Sequence, residues 1–222
     1  MRPEVNSTSD DSLVLRDIRV FLASSIPNPA LWHGYFEPHE ITDSVVAAAR
    51  AILTAGGTLV TGAHPTIAPL LLYVAAEFSI TAEKPRVLIY QSALFENLMP
   101  PETGRFEVDR IGELILTPPV PGERPERGSW DGSLRIMRER MFNETHPRAG
   151  IFIGGMSDIS KECELLLKQR PRPIIYPLAR PGGEAAKLLK FAPDSLRTLL
   201  SEGNIYPSIF RRVVSDLAQR LS

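Results

Sequence analysis

The chain has 222 residues, of which 43% are hydrophobic and 23% charged, with a formal net charge of −1. This length suits one large α/β domain, and the near-neutral charge argues against a nucleic-acid partner, which needs a basic field. No apolar run approaches the roughly 20 residues of a membrane span, so no membrane association is expected. A single cysteine, Cys163, excludes an intrachain disulfide and favours a reducing, cytoplasmic location.

Residues 1–16 are expected to form a disordered polar tail and residues 17–222 a single domain. Short apolar runs predict strands over residues 17–23, 57–62, 86–91, 113–117, 149–154 and 173–178. Helical periodicity and capping signals predict helices over residues 40–54, 68–78, 131–143, 160–170, 183–191, 194–202 and 207–221. Residues 92–112 are expected to be irregular, and the proline-rich loop at 117–128 is either a mobile lid or a long connection.

Strands that are apolar on both faces and alternate with helices predict a mostly parallel sheet with helices on both faces. Right-handed crossovers make this an α/β, doubly wound, Rossmann-like fold. Ligands of such folds bind beyond the carboxyl ends of the strands, at the point where the strand order reverses.

Three of the predicted strands end in small or hydroxyl residues, just where a helix is about to begin. Glycine permits close backbone approach, free amides at a helix start attract anions, and hydroxyls suit phosphate or ribose oxygens. The resulting ligand-binding candidates are Ser24, Ser25, Thr61, Gly62, His64, Gly154, Gly155, Met156, Ser157 and Asp158.

The same three strand ends carry a family resemblance. Residues 20–27 (VFLASSIP), 59–69 (LVTGAHPTIAP) and 152–162 (FIGGMSDISKE) resemble the signature blocks of the SLOG superfamily, and the likeness extends over residues 17 to about 180. That superfamily includes the Lonely Guy cytokinin-activating phosphoribohydrolases, DprA proteins, and ligand-sensing domains of TRPM channels and of bacterial immunity proteins. The likeness is greatest to prokaryotic SLOG sensor domains.

The resemblance implies a homo-oligomeric sensor that binds a nucleotide-derived small molecule, uses no cofactor and acts in bacterial immunity or stress signalling. The alternative is a nucleotide N-glycosidase or phosphoribohydrolase, in which Gly154 and Gly155 would cradle phosphate and Glu162 would assist cleavage. A third possibility is a subunit that serves mainly in assembly. Two residues depart from the family pattern, since Ala63 and Asp158 stand where glycine is usual.

Several candidates have a plainer explanation. Glu162 either acts in chemistry or complements a helix dipole in the first turn, and we favour the dipole. Asp158 either points into the crevice, where it repels phosphate, or caps the helix starting near Ser160, and we favour the cap. His64 either contacts the ligand or orders its turn.

The arginines Arg105, Arg135 and Arg138 are phosphate-clamp candidates, although a solvated helix face is the commoner explanation. Cys163 is expected to serve packing. No metal site is expected, because the histidines show no ligand spacing with Cys163. Replacement of Gly155 by valine is expected to abolish ligand binding while the fold survives.

Overall fold

The computed structural model describes residues 13–62, 64–78, 86–101, 103, 105, 112–126 and 128–222. The first twelve residues of the expected tail lie outside this part of the chain. Leu15, near the other end of that tail, is fully buried, and its amide donates to the carbonyl of Ala55. The packed domain therefore begins before residue 17, because an apolar side chain in the expected tail covers the end of the first helix.

Six parallel strands form one sheet, in the spatial order β4-β3-β2-β1-β5-β6. In chain order they are β1 (Arg19–Ser25), β2 (Thr58–Gly62), β3 (Val87–Ser92), β4 (Glu113–Thr117), β5 (Ala149–Gly154) and β6 (Ile174–Leu178). All six residues of β5, and all of β1 after its first, are buried. This is the pattern of a sheet covered on both faces, and the expected doubly wound α/β fold is confirmed.

The α-helices of the described chain include α1 (Pro38–Thr54), α2 (Ala68–Ala76), α3 (Asp131–Thr145), α4 (Asp158–Leu166), α5 (Arg197–Glu202) and α6 (Tyr206–Leu221). Within the described residues, 3-10 helices comprise Ala93–Leu98, Glu184–Phe191 and Asp194–Leu196. Two expectations are corrected here. The region expected to be irregular contains Ala93–Leu98, whose start is capped by the Ser92 hydroxyl (3.3 Å from the Leu94 amide). The helix expected at 160–170 begins earlier and ends at Leu166.

Two apolar cores lie on opposite faces of the sheet. Because side chains alternate along a strand, Val20 and Leu22 of β1 join the core that contains α1, α2 and α6. Phe21 and Ala23 join the core that contains α3 and α4. Phe21 packs edge-to-face against Phe142 of α3 and Phe152 of β5, with ring centroids 4.9 and 5.8 Å apart.

The strand order reverses at β1. The chain passes from β1 outward to β4, then returns to place β5 on the other side of β1. Ser25 at the end of β1 pairs in register with Gly154 at the end of β5. In a doubly wound sheet this reversal opens a crevice above the strand ends, which is where ligands of such folds bind. Within the described residues, no helix combines the length and the apolar character needed to cross a membrane.

Candidate functional site

A cavity of about 430 Å³ lies beyond the carboxyl ends of β1, β2 and β3. This volume falls within the range of small-molecule sites. Seven of the ligand-binding candidates line it, together with two of the charged candidates. These residues are Ser24, Ser25, Thr61, Gly62, His64, Met156, Asp158, Arg138 and Glu162. The sequence therefore located the residues of one common cavity, although they come from three separate segments and from α3.

The other candidates do not line this cavity. Arg135 is exposed on α3 and pairs with Glu139, with 3.3 Å between Nη1 and Oε1. Arg105 is also exposed. Ser157 occupies the residue before α4, but its side chain makes no capping hydrogen bond. A contact between any of these residues and a ligand stays a prediction.

Gly154 and Gly155 are buried below the cavity and hold the turn between β5 and α4. The Gly155 amide donates to the Ser25 carbonyl (2.7 Å), and the Gly155 carbonyl accepts from the Glu184 amide (2.8 Å). Gly155 has a φ of +70°, and a Cβ there would overlap the Ile159 side chain. A valine at this position would therefore disrupt the turn itself. A loss of binding in the Gly155→Val protein would not distinguish a lost ligand contact from a damaged fold.

Ser24 provides the clearest sign of a missing partner. It is 8% exposed and lines the cavity, and its hydroxyl finds no hydrogen-bond partner among the described residues. The neighbouring Thr61 is different, because its hydroxyl lies 2.8 Å from the Leu22 carbonyl and is satisfied by the protein. A buried hydroxyl without a partner costs free energy, and within the cavity lining this cost falls on Ser24.

The His64 ring is fixed by the turn that carries it. Its Nδ1 accepts from the Thr66 amide (3.3 Å) and lies 2.8 Å from the Thr66 hydroxyl, which itself accepts from the Ile26 amide (3.2 Å). An amide can only donate, so Nδ1 is the acceptor and the ring proton sits on Nε2. Although His64 keeps solvent access at the cavity mouth, desolvation by the surrounding protein lowers its pKa, and the Asp158 carboxylate opposes this.

Arg138 is buried on the face of α3 that meets α4. Its Nε donates to Oε1 of Glu162 (3.0 Å), and its Nη2 lies 3.3 Å from Oδ1 of Asp158. Its side chain is only 7% exposed. The solvated helix face that was the commoner explanation therefore suits Arg135 and is wrong for Arg138.

Glu162 is held in place by Arg138. Burial raises the pKa of Glu162, the Arg138 guanidinium opposes the rise, and the Asp158 carboxylate adds to it. Because α4 begins at Asp158, Glu162 is its fifth residue and lies beyond the first turn. The favoured role in complementing the helix dipole is therefore wrong.

Asp158 also differs from the favoured expectation. It is the first residue of α4, and no side chain at this helix start makes a capping hydrogen bond. Instead Asp158 lines the cavity and lies 3.3 Å from Arg138 Nη2 and 3.4 Å from Lys161 Nζ. The expected cap is wrong because α4 starts at Asp158, two residues before Ser160. Asp158 is therefore a residue of the helix and not the residue that precedes it.

The apolar wall of the cavity was not found from the sequence. It comprises Phe95, Leu98, Met99, Pro125, Trp130, Leu134, Met137 and Ile159. Phe95 and Trp130 meet edge-to-face with centroids 5.4 Å apart. The segment Ala93–Leu98 directly follows β3, so the strand-end reasoning that found the polar residues would also have found Phe95 and Leu98.

The loop after β4 is fastened to the start of α3 by Glu123. The Glu123 carboxylate accepts the amides of Gly132 (2.9 Å) and Ser133 (2.8 Å) and the hydroxyl of Ser133. The Ser133 hydroxyl and these amides hold the pKa of Glu123 below its usual range. Since Pro125 and Trp130 line the cavity, this attachment positions part of its wall.

Metal-binding chemistry has no support in the described part of the chain. No group of three or more histidine, cysteine, aspartate or glutamate residues there could hold a metal ion. Cys163 is 1% exposed, as expected for a packing residue, and burial raises its pKa to about 12.

The sheet order and the cavity beyond its strand ends define the class of protein: a Rossmann-like α/β domain. The sequence matches the model of the SLOG cluster3 family over residues 33–214, and the chain therefore belongs to this family. The resemblance to the SLOG superfamily is thereby confirmed. A search of curated proteins gave no match.

Proposed function

We propose that the protein is a sensor domain that binds a nucleotide-derived small molecule in the cavity beyond β1, β2 and β3. The observation that carries this proposal is the Ser24 hydroxyl, which is buried at the cavity without a partner among the described residues. Membership of a SLOG family supports the nucleotide class of ligand. A cytoplasmic, homo-oligomeric sensor in bacterial immunity or stress signalling is the setting that the resemblance implies.

The aromatic and polar residues of the cavity lining suit the two halves of a nucleoside. Phe95 and Trp130 offer ring faces and edges against which a planar base packs. The same lining contains the Ser24 hydroxyl and the Nε2 proton of His64, donors that the protein does not use internally among the residues described. A base and a sugar present these two kinds of surface together.

N-glycosidic cleavage is a second candidate, favoured by Glu162. Its carboxyl group lines the cavity, and burial raises its pKa. A carboxyl group of this kind serves as general acid or base in enzymes that cleave glycosidic bonds. In this alternative Arg138 would hold the carboxyl group in position.

One experiment separates the two candidates. The purified chain is screened by thermal shift with nucleosides, nucleoside monophosphates, cyclic nucleotides and ADP-ribose derivatives, since a ligand raises stability by mass action. Each stabilising compound is then incubated with the protein and analysed for free base by chromatography. Binding without base release supports the sensor. Base release that Glu162→Gln abolishes supports the enzyme, and no stabilisation by any compound argues against the proposal.

A further inference from the structure

We propose that Asp158 sets the chemical class of the ligand: it excludes a terminal phosphate from the α4 end of the cavity and admits an uncharged group with hydroxyls. This inference rests on the proposed function and adds which part of a nucleotide derivative the site accepts. Its basis is the position of one carboxylate relative to Arg138 and to the first turn of α4.

The start of α4 has the backbone of an anion site. Among the described residues, the amides of Met156, Ser157 and Asp158 make no hydrogen bond, and such amides attract negative charge. The Gly155 amide donates to the Ser25 carbonyl, which brings the end of β1 against this turn. The partnerless Ser24 hydroxyl precedes that contact and lines the same cavity. Ser24 lies on the face of β1 that carries Leu22, opposite the α4 face, so the open amides and the partnerless hydroxyl border the same cavity from the two faces of the sheet.

The charges at the corner oppose a phosphate. Arg138 is the arginine of the described cavity lining, and it is shared between the carboxylates of Glu162 and Asp158. Lys161, which is not in that lining, also pairs with Asp158 at 3.4 Å. A phosphate that used Arg138 as a clamp would have to displace Asp158 from Nη2. It would also lie close to a carboxylate carrying charge of the same sign, which disfavours binding.

Uncharged hydroxyl groups fit the same corner. A carboxylate accepts hydrogen bonds from hydroxyls, and the free amides at the start of α4 donate to a sugar or carbonyl oxygen. Asp158 keeps half of its side-chain surface exposed at 52%, so a ligand reaches it without further opening of the structure. The sugar of a nucleoside meets these requirements, whereas a terminal phosphate does not.

The experiment compares Asp158→Asn with Asp131→Asn. Asparagine keeps the size of the side chain and removes its charge. Asp131 is a matched control because it also pairs with Lys161, at 3.5 Å, but is 74% exposed and does not line the cavity. The probes are adenosine, guanosine, cytidine and uridine, each with its 5′-monophosphate, and inorganic phosphate at constant ionic strength. Affinities are measured by calorimetry and the melting temperature by thermal shift.

We expect the parent to bind at least one nucleoside more tightly than its monophosphate. Asp158→Asn should improve monophosphate affinity at least tenfold and change nucleoside affinity less than threefold, while Asp131→Asn behaves as the parent. Added salt should reduce the difference between the nucleoside and monophosphate affinities of the parent, because it screens the charge of the Asp158 carboxylate. Equal effects on nucleoside and monophosphate, or no effect on either, would overturn the role of Asp158.

The inorganic phosphate arm separates this inference from the proposed function. If no nucleoside or nucleotide binds any variant, the proposed function fails. Even then, a rise in melting temperature with phosphate in Asp158→Asn alone supports charge exclusion by Asp158, and its absence overturns it. Asp158→Gly gives the same readout if the asparagine variant does not fold.

Discussion

The helices α3 and α4 both begin beside the cavity, yet their first turns are satisfied differently. At α3 the Glu123 carboxylate, from the preceding loop, accepts the amides of Gly132 and Ser133. At α4 the amides of Met156 to Asp158 have no hydrogen bond within the described chain, and the Asp158 carboxylate turns to Arg138. The hydrogen bonds from Glu123 satisfy the first amides of α3 and so stabilise the fold. The open amides at the start of α4 remain available to an acceptor that is not part of the described chain.

The largest effect is expected from removing Arg138, whose ion pairs join α3 to α4. Arg138→Met leaves the Glu162 carboxylate buried without its partner, and we expect it to lower the free energy of unfolding by about 3 to 5 kcal/mol. Urea denaturation measures this. Arg135→Met on the same helix is the control and should stay within about 0.5 kcal/mol of the parent, because Arg135 is exposed.

The double variant Arg138→Met, Glu162→Leu makes this test sharper. Removing both charges leaves no buried carboxylate unpaired, so it should recover much of the stability that the single variant loses. Equal losses in Arg138→Met and Arg135→Met would contradict the burial and pairing described for Arg138.

The next effect concerns the turn that opens α4. Gly155→Ala combines a φ of +70° with overlap of the new Cβ and the Ile159 side chain, and we expect a loss of about 2 kcal/mol or more. Gly122→Ala, in the loop that leads to α3, is the control. Its φ is +85° with nothing within 4 Å of the new Cβ, so only about 1 kcal/mol should be lost. Similar losses of stability in both variants would show that the overlap of the new Cβ with Ile159 does not contribute to the loss.

A smaller effect of opposite sign is expected at Ser24. Ser24→Ala removes a buried hydroxyl that has no partner among the described residues, so the free protein should gain roughly 1 kcal/mol. Affinity for a nucleoside should fall about tenfold, which is one hydrogen bond's worth. Thr61→Val should instead lose stability, because the Thr61 hydroxyl bonds the Leu22 carbonyl. A Ser24→Ala protein that is less stable and binds normally would refute the ligand role.

The smallest effect is the pH dependence of the α3 cap. Since hydrogen bonding lowers the pKa of Glu123 in the folded protein, its contribution is fully present above the unfolded value of about 4.3. It is lost as the pH falls through the lowered folded value. Glu123→Gln should therefore melt slightly below the parent at pH 7, and the two melting curves should converge under acid. A difference that does not change with pH would mean that charge plays no part in the cap.

Local patterns predicted most of the fold. The bounds of β4 and β5 match the expected strands at 113–117 and 149–154, because apolar β-branched runs bounded by turn residues leave few alternatives. Most polar lining residues were found for a similar reason, since parallel strand ends meet at one edge of the sheet.

Contacts between segments that are distant in the chain could not be predicted from local sequence patterns. Arg135 and Arg138 lie one turn apart on α3, and only the position of α4 decides which one is buried. The Glu123 cap joins residues that are nine and ten positions apart, so no local capping pattern reveals it. At Asp158 a shift of two residues in the helix start changed the expected role.

The position of β1 in the sheet has a consequence for synthesis on the ribosome. Strands β1 to β4 emerge before any residue of β5 exists, so the strand destined for the middle of the sheet first presents an open edge. An unpaired edge of this kind adheres to other chains. Ser25 meanwhile lacks its neighbour Gly154. A chain halted at residue 148 would therefore present an aggregation-prone edge, and it would also lack the part of the cavity wall that α4 supplies.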